Sequence, residues 1–123
     1  MTGILSNSKA DIKFNKGDID LNSKIAIDLA IKPGDAINLK EIDNELYLFV
    51  AYRQNPNVKG ICKEVQKGSR HYRIRWKEMC DTVMKKYSTA DKAFFRTGDV
   101  VTISGIKMLP IITRKNYAER NQV

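Results

Sequence analysis

The residues best suited to chemistry fall in one short stretch, Arg70-His71-Tyr72-Arg73-Ile74-Arg75-Trp76-Lys77. Its alternation predicts an extended strand with Tyr72, Ile74 and Trp76 on one face and His71, Arg73 and Arg75 on the other. A one-sided ribbon of cations suits phosphate, because the forked guanidinium donors match phosphate oxygens and a two-stranded ribbon fits a DNA major groove. Arg70, His71, Arg73, Arg75 and Lys77, joined by Arg114 and Lys115 near the C-terminus, are therefore the expected nucleic-acid contacts. Tyr72 and Trp76 would stack unpaired bases if exposed. They share a face with Ile74, however, and packing into a core is the expectation. A solvated strand face is the competing reading of the same cations.

Catalytic chemistry finds little support. There is one histidine, His71, and no Ser or Cys in a nucleophile motif. Neither Gly-Asp pair, Gly34-Asp35 or Gly98-Asp99, carries a phosphate-loop or dinucleotide fingerprint. Asp18 and Asp20 stand two apart on one strand face with no histidine or third carboxylate beside them in sequence, which reads as a solvated face. Cys62 and Cys80 are isolated thiols without pairing or metal-ligand spacing, as in a reduced structural role. The expectation is a protein that is not an enzyme, with no catalytic residues, no cofactor and no metal.

The elements that position the ribbon repeat. Ile31-Lys32-Pro33-Gly34-Asp35-Ala36-Ile37-Asn38-Leu39 returns in weaker form as Phe95-Arg96-Thr97-Gly98-Asp99-Val100-Val101-Thr102-Ile103. Each copy is a Gly-Asp turn opening a strand of alternating residues. Before the first copy come strand candidates at 11–14 and 18–21 and a helix signalled by Asn22-Ser23. Before the second come strands at 61–65 and 70–76 and a helix over 77–87, whose Met79, Cys80, Val83, Met84 and Tyr87 form an apolar stripe. Strands at 45–52 and 107–113 follow the two turns, and Pro110 is expected at an edge or bulge. The second copy carries about six extra residues between helix and turn, counted against the first copy as the reference repeat. The chain divides into a first unit, 11–54, a linker, 55–60, a second unit, 61–115, and a tail, 116–123.

Bulk properties bound the reading. A unit of about sixty residues is marginal alone, so the 123 residues are expected to form one domain in which two units share a core. Ile19, Leu21, Ile37, Leu39, Leu46 and Leu48 are expected to meet Tyr72, Ile74, Val101, Ile103, Leu109 and Ile111 there. No apolar run approaches the roughly 18 residues of a membrane span, and Met1 to Ala10 has no signal-peptide core, which reads as a cytoplasmic protein without a membrane partner. The net charge of +8 is unevenly placed, −1 over residues 1–54 and +9 over residues 55–123. Such a field attracts polyanions.

Gly17-Asp18-Ile19-Asp20-Leu21-Asn22-Ser23-Lys24, Leu29 to Asp35, Leu39 and Leu46-Tyr47-Leu48 together resemble the swapped-hairpin DNA-binding domain of AbrB-type transition-state regulators and antitoxins. The resemblance covers roughly Ile12 to Tyr52 and is strongest over Ile31 to Asp35. Asp18 stands where that family usually has Arg, and Asn22 where it usually has Pro. The resemblance implies a mainly β fold with two helices, a swapped-hairpin or double-psi-like β-barrel closed by two tandem strand-helix-strand-strand units. It further implies a DNA-binding transcriptional regulator, duplex or single-stranded target unresolved, with a homodimer as one permitted assembly. The second, basic unit is then expected to make the phosphate contacts, Arg73 and Arg75 contributing more than Lys13, Lys16 or Lys24. The alternative is a structural or protein-interaction module that keeps the barrel and does not bind DNA.

Overall fold

Apolar residues alternate with polar ones along most strands, and burial follows that alternation. The computed structural model describes residues 10–53, 59–88 and 90–114. β1 (Ile12–Asn15) and β2 (Asp18–Leu21) form a hairpin that buries Ile12, Phe14, Ile19 and Leu21. Asn22 then caps α1 (Ser23–Asp28), its side chain accepting from Ile25 N at 3.3 Å, and Ile25 and Ala26 face inward. β3 (Ala36–Ile42) and β4 (Glu45–Tyr52) are joined by Asp43-Asn44, both at positive φ, the turn whose twist matches a hairpin. The second unit supplies β5 (Cys62–Glu64), β6 (Tyr72–Arg75), α2 (Lys77–Tyr87), β7 (Lys92–Thr97), β8 (Val101–Ile103) and β9 (Ile106–Ile112). Cys80 and Val83 of the α2 stripe are buried, with Met79, Met84 and Tyr87 packed partly against the core.

The strands make one antiparallel, barrel-like sheet in the order β3-β4-β9-β7-β1-β2-β6-β5, with β8 pairing β9 off this path. Its two ends approach each other. Ile37 N donates to Gly60 O at 2.8 Å, Cys62 N to Asp35 O at 2.9 Å and Gly34 N to Cys62 O at 3.0 Å, which ties β5 to the start of β3. Gly60 is required at this seam: its φ is +86°, and a Cβ there would lie 2.2 Å from Ile37 O. Three ladders, β1 with β7, β2 with β6 and β4 with β9, join one unit to the other. The core is correspondingly common to both, with Leu21, Leu48, Tyr72, Ile74, Phe95 and Leu109 in one cluster.

Several expectations are corrected. The segment between α2 and the second Gly-Asp pair, for which the sequence names no strand, contains β7, a six-residue wall strand between β1 and β9. Because β7 fills that wall, β8 is displaced from the main path, and Val101 and Ile103 do not join the core. The two Gly-Asp pairs also differ. Asp35 is fully buried, accepting from Lys32 N at 2.9 Å and Arg53 Nη1 at 2.7 Å after a Gly34 at φ +90°, whereas Asp99 is exposed and Gly98 lacks a positive φ. Pro110 lies inside β9, opposite Tyr47 of β4, and not at an edge. It is tolerated because β9 changes neighbour there, from β8 at 106–108 to β7 at 111–112. A strand residue's N–H and C=O point to the same side, and Pro110 O accepts from Gly98 N at 2.9 Å, so the missing N–H falls in that gap.

Candidate nucleic-acid interface

Strand register brings the outward side chains of five strands into rows. Phe94 of β7 stands opposite Lys13 of β1, which stands opposite Asp20 of β2, then Arg73 of β6 and Lys63 of β5. A second row runs Lys92, Asn15, Asp18 and Arg75. The two rows hold five cations and two carboxylates, a surplus of three positive charges. Arg96 lies exposed on the same face of β7.

The carboxylates sit in the middle of the rows, and this changes the role of the arginines. Arg73 donates to both Asp20 oxygens, Nε at 2.7 Å and Nη2 at 3.2 Å, and Asp20 also lies 3.5 Å from Lys13 Nζ. Arg75 Nε is 3.5 Å from Asp18, with 82% of its side chain exposed. In sequence Asp18 and Asp20 read as a solvated face. Pairing of β2 with β6 sets them beside Arg73 and Arg75 as well as Lys13, so a phosphate reaching Arg73 also meets a carboxylate. Each such surface pair contributes only about 0–1 kcal/mol, so it screens the arginine without locking it.

The other expected contacts divide. His71 is exposed at the start of β6, its N donating to Ser69 Oγ, and borders the concave part of this face. Arg70 lies in the β5–β6 turn at φ +60°, its N donating to Glu64. Lys77 opens α2 and pairs with Asp81 at 2.7 Å, which raises its pKa. Arg114 follows β9, away from β6, and Lys115 lies outside the described residues. Tyr72 is a core residue whose hydroxyl donates to Ile31 O at 3.2 Å. Trp76 is half-buried against the core and also lines a surface groove.

Sequence reasoning did not select Lys63, Lys92 or Phe94. The run Lys92-Ala93-Phe94-Phe95-Arg96-Thr97 does alternate, with Ala93, Phe95 and Thr97 buried, and that period was the available signal. Two concavities flank Arg73. One, about 770 Å³, lies between the β5–β6 turn and β7 and is bordered by Lys13, Lys92, His71 and Phe94. The other, about 740 Å³, is bordered by Lys59, Lys63, Arg75, Trp76 and Lys77. Lys13 Nζ lies 6.0 Å from the centroid of the Phe94 ring, within reach of a cation–π contact. Among the described residues no group of three or more His, Cys, Asp or Glu is placed to hold a metal ion, and no helix is long and apolar enough to cross a membrane. Compared with known proteins, the chain matches no family model, no curated protein and no solved structure.

Proposed function

We propose that this chain is a nucleic-acid-binding protein, an AbrB-like regulator in which two tandem units take the place of two chains in a swapped-hairpin barrel. The architectural part draws support from the ladders that cross between units, β2 with β6 and β4 with β9. The functional part rests on one observation, the surplus of three positive charges in the two cross-strand rows of the outer face. Phosphates are held by Lys13, Lys63, Lys92 and Arg75, and Arg73 exchanges between Asp20 and phosphate. The contact surface thus belongs to both units. A salt titration of binding to DNA tests the reading: each phosphate contact gives a slope of log affinity against log salt of about −0.7 on a single strand and −0.9 on a duplex. Alanine at Lys13, Lys63 and Lys92 together flattens the slope by about two to three. A folded triple variant with unchanged affinity and slope would refute the assignment.

A second reading, an interaction module, uses a different surface. The outer side of β4, β9 and β8 carries Tyr47, Phe49, Ile103 and Ile106, and Ile106 is 43% exposed. β8 pairs only with β9 among the described strands, and an open strand edge beside an apolar face suits a second copy of this chain. Sedimentation reads this directly, as a doubled mass that Ile106→Lys returns to the monomer value.

A further inference from the structure

The outer face holds more than charge. Phe94 lines the first hollow on this outer face beside Lys13 and Lys92, and the opposite wall is the β5–β6 turn with Val65, 55% exposed, and His71. Across Arg73 lies the second concavity, with Trp76 beside Lys63 and Arg75. Arg73 borders both. Each hollow therefore sets an aromatic side chain, Phe94 or Trp76, among cations and two carboxylates, Asp11 and Asp20 in the first and Glu64 and Glu78 in the second. The row Lys13, Asp20, Arg73 and Lys63, three cations and one carboxylate, connects them.

Duplex DNA cannot use such hollows, because its bases are stacked on one another and offer only their edges. An unpaired strand can, since each base has a free π-face and each phosphate follows it at the reach of a lysine or arginine. At about 770 Å³ and 740 Å³ the concavities fall within the range that encloses small-molecule ligands, large enough for a nucleotide each. We infer that the nucleic acid bound by this face is single-stranded, with one base stacked on Phe94, another on Trp76 and the intervening phosphates over Lys13, Arg73 and Lys63. This inference rests on the nucleic-acid-binding reading and names its substrate class. His71 and Ser69 border the Phe94 hollow at positions suited to the polar edge of a base.

The chain contains one tryptophan, Trp76, so its fluorescence reports on one of the two hollows. A short oligothymidylate and a duplex of the same length are titrated against the full chain with tryptophan-selective excitation. The expected result is quenching by the single strand and weaker binding of the duplex. Phe94→Leu, which keeps apolar bulk and removes the ring, lowers affinity for the oligothymidylate by about tenfold while leaving the salt slope unchanged, because no phosphate contact is lost. Phe94→Tyr restores the binding, and thermal melting confirms that both variants fold. A duplex bound at least as tightly as the strand, or a folded Phe94→Leu protein with wild-type affinity, overturns the inference and leaves the broader function standing. Binding of neither nucleic acid overturns both.

Discussion

Replacing Asp18 and Asp20 together by Asn is expected to strengthen nucleic-acid binding. Asn has nearly the shape of Asp but no charge, so the strand geometry is retained while Arg73 loses its bidentate partner and Arg75 its neighbouring carboxylate. The surplus on the two cross-strand rows rises by two positive charges. If both guanidinium groups then take a phosphate, the slope of log affinity against log salt on a single strand becomes steeper by about 1.4. Lowering the salt from about 200 mM to about 50 mM should then raise the variant's affinity by about sevenfold more than it raises the wild type's. Stability changes little, since each exposed pair contributes about 0–1 kcal/mol. Oligothymidylate titrations across a salt series measure the slope, and urea denaturation confirms the fold. A folded double variant with wild-type affinity and slope would show that these carboxylates do not screen the binding face, and weaker binding would reverse the sign of the argument.

Other consequences concern the scaffold. Gly60→Ala should lower stability by at least about 3 kcal/mol, seen in denaturant midpoints, because it strains a left-handed backbone and drives a Cβ against Ile37 O at the seam. Arg53→Ala should lower it by about 2–4 kcal/mol, because Arg53 donates to Ala30 O at 2.7 Å, Leu29 O at 3.0 Å and the buried Asp35, and Arg53→Lys should recover little of the loss; a wild-type midpoint for the alanine variant would remove this clasp from the account. Burial, with the Asp35 carboxylate, pushes the Cys62 thiol up to about 11 from an ordinary 9.0. The unfolded chain therefore loses that proton first, and stability falls as pH rises from about 9 to about 11, by about 2–3 kcal/mol from this group. Cys62→Ala should flatten that part of the melting profile relative to wild type. Residues 1–54 alone should show no cooperative monomeric melt, because the ladders to β6, β7 and β9 are missing; a sharp thermal transition in that fragment would disprove the shared core.

Most elements were legible because their signals are local. The apolar stripe marked α2 at its observed bounds, the Asn22-Ser23 cap marked α1, and alternation marked β2 and β4. β7 was missed because its apolar Ala93-Phe94-Phe95 run masked the period, and with it went the wall strand that expels Val101 and Ile103 from the core. The ribbon cations of 71–75 lie outward as alternation required, yet their electrostatic setting was misjudged: Asp20 and Arg73 are 53 residues apart and meet at 2.7 Å.

The amino-acid order by itself determined which face of each strand is apolar, where helices start and where positive charge accumulates, since each follows from residues within a few positions of one another. Which strands become neighbours depends on a core that both units must bury together, and only the tertiary structure decided that. The pairing of β2 with β6 screens Arg73 and Arg75 with aspartates, and the pairing of β1 with β7 places Lys13 beside Phe94. No local pattern encodes either juxtaposition, because strand partners are selected by side-chain packing summed over the whole sheet.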